Sequence, residues 1–121
     1  MLLKNKIEFF EKNEKYPVKE FIYSLPNKHK AKVLREIDLL EEFGTDLKEP
    51  YVKKVVGYKK LWELRIQFAS DISRIFYFMP IGNIFVLLHG IVKKTKKTPF
   101  QDLEIANNYM NEYIRRQNHE K

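Results

Sequence analysis

Residues 84–92 read IFVLLHGIV, and no polar residue interrupts the run before His89. A strand with one face in water alternates polar and apolar side chains. A run that does not alternate is expected of a central strand buried on both faces. The stretch is also far short of the ~18 apolar residues that a membrane span needs.

The residues before it supply neighbours for that strand. In LWELRIQF, Trp62, Leu64, Ile66 and Phe68 alternate with Glu63, Arg65 and Gln67, the period of a half-buried strand. A short turn, ASD, leads into ISRIFYFM, whose aromatic and β-branched content favours a strand. PIGN is a second turn. Three strands joined by short turns predict an antiparallel meander. A two-residue turn at Ala69 and Ser70 would pair Arg65 directly with Arg74. A four-residue turn would set the two diagonally on one face, and a three-residue turn or a bulge would separate them. The first two registers keep Trp62, Leu64 and Ile66 beside Ile75 and Tyr77 on the core side, and are the ones expected.

Helical spacing appears on either side of the meander. After a short apolar first strand at 7–10, Pro17 suits the first position of a helix. Val18, Phe21, Ile22 and Leu25 then lie on one helical face, and Pro26 ends it. Asn27 is a candidate cap for a second helix, with Val33, Leu34, Ile37, Leu40 and Phe43 as its apolar stripe and Gly44 as its stop. His29 falls on a turn of that helix expected to be solvated. Residues 44–58 read as a loop. Thr98, Pro99 and Gln101 form a capping-box pattern for a last helix with Leu103, Ala106, Met110 and Tyr113 inward. The expected order is β-α-α-β-β-β-α, an α+β class fold with helices on a mainly antiparallel sheet, as one domain over residues 1–121.

Composition narrows the chemistry. The chain has 121 residues, 44% hydrophobic and 32% charged, which is globular rather than disordered. Cysteine is absent, so no disulfide framework or thiolate metal site is available, and a reducing cytoplasm is the expected location. No secretory leader pattern opens the chain. No HExxH, GxSxG or phosphate-cradling glycine loop occurs, and with four glycines no nucleotide-binding loop, cofactor or metal is expected.

The net charge of +7 points to a polyanion, and its distribution sharpens that. Lys93, Lys94, Lys96 and Lys97 crowd the end of the apolar strand. Lys53 and Lys54 stand just before the meander, and Arg65 and Arg74 lie within it. Two facing arginines repel unless an anion or an acid such as Glu63 lies between them. Convergence of these cations would make a phosphate-binding groove. His89, alone in an apolar strand, fits a core residue bonded to backbone better than a catalytic one.

Three blocks, LWELRIQF, RIFYF and VLLHGIVKKTKKTPFQDLEIA, in this order and after a helical hairpin, resemble the RelE/HigB superfamily of bacterial toxins, in its phage-derived HigB-like branch. The resemblance covers nearly the whole chain. It implies a RelE-like fold and the toxin of a type II toxin–antitoxin pair, an endoribonuclease that cuts mRNA on the ribosome without a metal. The implied partner is a HigA-like helix-turn-helix antitoxin. Carried over residue by residue, the implied catalytic set is Arg65, Arg74, Lys93 and Lys94, with Lys97, Lys96, Lys53, Lys54, His89 and Glu63 as further catalytic or RNA-binding candidates. Many RelE relatives have a tyrosine after the basic block, where Phe100 falls here. Two other readings stay open: a toxin of the same superfamily that inhibits DNA gyrase by binding, and an RNA-binding module without catalysis.

Overall fold

A computed structural model describes residues 4–93 and 98–119. Five strands form one sheet: β1 (Lys6–Phe9), β2 (Val52–Lys54), β3 (Trp62–Phe68), β4 (Asp71–Phe78) and β5 (Ile84–Lys93). The helices are α1 (Pro17–Tyr23), α2 (Asn27–Phe43) and α3 (Phe100–His119), with a short 3-10 turn at Gly44–Asp46. Strand order is β1-β5-β4-β3-β2; β1 runs parallel to β5 and every other pair is antiparallel. This is the α+β fold expected, with the β-α-α-β-β-β-α order and one strand more.

The apolar strand is central and covered on both faces. Phe85 and Leu87 join a core with Leu64, Ile66, Ile75 and Tyr77 under α1 and α2. Val86 and Leu88 join a second core with Phe76, Phe78, Ala106 and Met110 under α3. The register of β4 on β5 slips between Phe76 and Tyr77, which pair with His89 and Leu87. Leu88 is therefore the extra residue of a β-bulge, and such a residue re-aims its neighbours. Gly90 follows. A Cβ there would lie 2.7 Å from the Phe21 ring carbon Cγ, so α1 seats an aromatic ring on bare backbone.

Helix α1 starts at Pro17 and buries Val18 and Ile22 as its spacing predicts. Helix α2 differs. Asn27 is already helical and Pro26 stands at the cap position. Its buried stripe is His29, Val33, Glu36, Ile37 and Leu40. Leu34 and Phe43, expected inside, are 46% and 47% exposed. His29, expected in water, is buried: its Nε2 lies 2.5 Å from Ser73 Oγ and its ring stacks on Phe68. A hydrogen-bond partner on β4 offsets the cost of burying the imidazole. Gly44, at φ 55°, closes the helix in a conformation that favours glycine.

The stretch expected as a loop contains β2, three residues long, with no alternating pattern of its own beyond Val52 inward and Lys53 outward. Its existence depends on the free edge of β3. Helix α3 begins at Phe100, with the Pro99 carbonyl accepting from the Asp102 and Leu103 amides at 3.1 and 3.4 Å. The Thr98 hydroxyl, expected to cap that helix, instead accepts a hydrogen bond from the Arg74 guanidinium.

Candidate functional site

The turn between β3 and β4 has two residues, with Ala69 at φ 55°. Phe68 pairs with Asp71, and the ladder then carries Arg65 directly opposite Arg74. Both side chains leave the face that α3 partly covers, because Leu64, Ile66 and Ile75 take the other. Glu63, one step along the same face of β3, comes between them. Its Oε1 lies 3.4 Å from Arg65 Nε and its Oε2 3.7 Å from Arg74 Nη1.

Depth distinguishes the two arginines. The Arg74 side chain is 3% exposed and that of Glu63 8%, whereas Arg65 keeps 27%. Arg74 is thus a buried cation held by Glu63 and Thr98. Burial pushes its pKa down, the Glu63 carboxylate pulls it back up and the Arg65 charge pushes it down again. Two guanidiniums and one carboxylate leave a positive surplus, and Arg65 is the member that reaches solvent. A cleft of about 180 Å³ opens over the cluster, lined by Lys53, Glu63, Arg65, Arg74, Thr98 and Leu103.

Lys53 is the cross-strand partner of Glu63, so it stands on the same face, exposed at the rim. Lys93 ends β5 opposite Ile72, two residues along from the Arg74–Ile91 pair, and shares that face too. Lys54 pairs with Trp62 and is turned the other way. Its ammonium donates to the Tyr58 and Leu61 carbonyls at 2.5 and 3.2 Å, and burial lowers its pKa. Its ammonium holds the 58–61 loop, although the residue also lines the cleft over the cluster. Lys94, Lys96 and Lys97 lie outside the described residues.

His89 also faces α3. Its partner is a side chain, not backbone: Nε2 stands 2.9 Å from Asp102 Oδ1. The Phe76 ring, stacked at 6.3 Å, lies in the row between His89 and Glu63. The histidine therefore ties β5 to the first turn of α3 and is set apart from the arginine pair. The sequence reading missed Asp102 and Thr98 in these roles, since their use depends on where α3 docks. It also missed Glu36, whose place three residues after Val33 was the available signal. Among the described residues no group of three or more His, Cys, Asp or Glu side chains could hold a metal ion. Nor is any helix long and apolar enough to cross a membrane.

The model of the phage-derived Gp49-like proteins (DUF891) matches residues 20–111. The chain belongs to the Gp49-like family. The matched segment takes in the end of α1, all of α2 and the meander, and most of α3, and so every element of the arginine cluster. Among solved structures, this Gp49-like chain is similar to one described as the crystal structure of an archaeal RelE–RelB complex from Pyrococcus horikoshii OT3. The TM-score is 0.47 at 21% identity, over 80% of this chain and 100% of that one. No curated protein matches.

Proposed function

We propose that this protein is the toxin of a type II toxin–antitoxin pair, and that it cleaves mRNA on the ribosome. The observation that carries the reading is the cross-strand pair of Arg65 and Arg74 sharing one carboxylate beneath an open cleft. The resemblance of the three sequence blocks to RelE/HigB toxins supports the same conclusion.

Cleavage of RNA by its own 2′-hydroxyl forms a 2′-oxygen–phosphorus bond and breaks the bond to the 5′-oxygen. A proton leaves the 2′-hydroxyl, and one arrives at the 5′-oxygen. The products are a 2′,3′-cyclic phosphate and a 5′-hydroxyl. Negative charge builds on the non-bridging oxygens between these events, and fixed cations aimed there lower the barrier. Arg65, partly exposed and carrying a guanidinium, is suited to contact those oxygens. Arg74 is already immobilised by Glu63 and Thr98, so it adds a fixed field that needs no reorganisation. Lys53 and Lys93 stand on the same face as proton-transfer and phosphate-binding candidates, and Lys94, Lys96 and Lys97 follow in sequence. In this reading a HigA-like helix-turn-helix antitoxin neutralises the protein, and the reaction takes place in the cytoplasm.

Mapping new mRNA 5′ ends after adding the protein to translating ribosomes tests the proposal. Cuts in phase with codons, ending in 5′-hydroxyls and insensitive to chelator, are expected. Arrested supercoiling by DNA gyrase with intact mRNA would replace the nuclease with the gyrase-binding reading. RNA retained without cuts would leave a binding module.

A further inference from the structure

A second cleft meets the first at Arg65. It encloses about 290 Å³ and is lined by Lys32, Glu36, Pro50, Tyr51, Arg65, Gln67 and Ile72. Arg65 is the residue common to both clefts.

Glu36 is the buried acid in its wall. It is 7% exposed, and its Oε2 is buried with no hydrogen-bond partner. A carboxylate left so is costly, and native proteins nearly always satisfy such a group. Lys32, one helical turn earlier, is placed to pair with it. Lys32 instead donates to the backbone carbonyl of Gln67 on β3. Among the described residues no ion pair forms on Glu36. Burial raises its pKa, with the Lys32 and Arg35 charges pulling it down.

The rest of the cleft has the character of a base site. Tyr51, 40% exposed, offers an aromatic face, and Pro50 and Ile72 add apolar walls. The Arg65 amide donates to the Tyr51 carbonyl at 2.7 Å, which fixes the tyrosine's backbone beside the arginine that faces the first cleft. Apolar walls beside the polar Lys32 and Gln67, a buried acceptor with no donor, and a phosphate-seeking arginine at the mouth are parts from which proteins build nucleobase recognition.

We infer that this second cleft holds the nucleobase next to the phosphate bound by Arg65, and that Glu36 reads its edge through an amino N–H. The inference rests on the RNA-cleaving reading of the first cleft. Adenine, cytosine and guanine each carry an exocyclic amino donor. Uracil has no exocyclic amino group: its one donor on that edge, N3–H, is flanked by two carbonyl oxygens, which a carboxylate repels. The site therefore discriminates against uracil, and Tyr51 contributes to affinity for every base alike.

Uncleavable 2′-O-methyl trinucleotides that differ only in the central base, titrated against the intact protein, test this. Wild type is expected to bind the adenine, cytosine and guanine forms about tenfold more tightly than the uracil form. Glu36→Gln, whose amide pairs with uracil as readily as with the others, should bring the four within about twofold of each other. Tyr51→Ala should weaken all four together by about tenfold, in line with one lost stacking contact. The Glu36 carboxyl carbon, followed by NMR, should titrate at lower pH with the cytosine form bound than with the uracil form. Equal binding of the four bases, binding of none, or a preference that Glu36→Gln retains overturns the inference. If these preferences hold while ribosome-bound mRNA stays intact, the base site stands and the nuclease reading falls. Codon-phased cutting with flat base preference is the converse.

Discussion

Glu63 sits between two guanidiniums at a depth where water screens little. Removing one member of a buried ion cluster typically costs about 3–5 kcal/mol, because the remaining charge keeps its desolvation penalty. Glu63→Ala should therefore lower the urea-unfolding stability by about 3 kcal/mol, seen as a shift in midpoint at unchanged slope. A loss under about 1 kcal/mol is what a solvated surface pair would give, and would contradict the buried cluster. Two other acids shape the pH dependence in opposite senses. The hydrogen bond from Lys12, aided by the Arg116 charge, holds Glu112 below its ordinary value near 4.5. A depressed carboxyl stabilises the fold above the unfolded value, and that contribution is lost as pH falls through the folded one. The gap in unfolding midpoint between wild type and Glu112→Gln should thus be full near neutrality and close in acid. Glu36 works the other way: its raised pKa makes ionisation a penalty that grows as pH rises from about 4.5 through the folded value. Glu36→Gln should gain on wild type as pH rises. A gap that moved the same way for both variants would contradict these assignments.

Among the elements, β5 was the most legible. An unbroken apolar run predicts cover on both faces, and its residues divide between the two cores. The bulge that offsets Leu88 from His89 was not legible, because register slips depend on how two strands twist together and not on either alone. The core-facing alternation narrows the meander's turn to two or four residues, either of which sets Arg65 and Arg74 on one face, and the two-residue turn found pairs them directly. Helix α2 shows the limit of periodicity. Apolar spacing placed Leu34 inside, yet the buried arc runs through His29 and Glu36, which local contacts with Ser73 and the second cleft accommodate. Strand β2 is too short to carry a pattern. Gly90 offers a test at this scale. Gly90→Ala drives a methyl group into the Phe21 ring and should cost about 1–3 kcal/mol by overpacking. Phe21→Leu in the same chain should restore part of it by making room, a coupling read from a double-mutant cycle. Additive losses would mean that α1 does not seat on that glycine.

For the whole molecule, the surplus of 23 Lys and Arg over 16 Asp and Glu is a field that any RNA meets first. Affinity for single-stranded RNA should fall with salt at a log–log slope of roughly −0.7 per phosphate neutralised. Replacing Lys53 should lower the magnitude of that slope by about one contact without changing base preference. A slope near zero would remove the cationic groove. The candidate site was legible in kind but not in arrangement. The sequence marks Arg65, Arg74 and the lysines as basic, and the resemblance assigns them a task. Which cations share a face, that Lys54 serves the 58–61 loop, and that His89 is tied to Asp102 all follow from strand register and the docking of α3. The central claim is that Arg65 stabilises charge developing on a scissile phosphate. The most direct measurement is the rate of mRNA cleavage on translating ribosomes by wild type and by Arg65→Ala, a partly exposed position whose loss leaves the Glu63–Arg74 contact in place. A fall in rate of about 10²–10³, with the folded state retained, is predicted by analogy with a lost oxyanion donor; cleavage at the wild-type rate would contradict it.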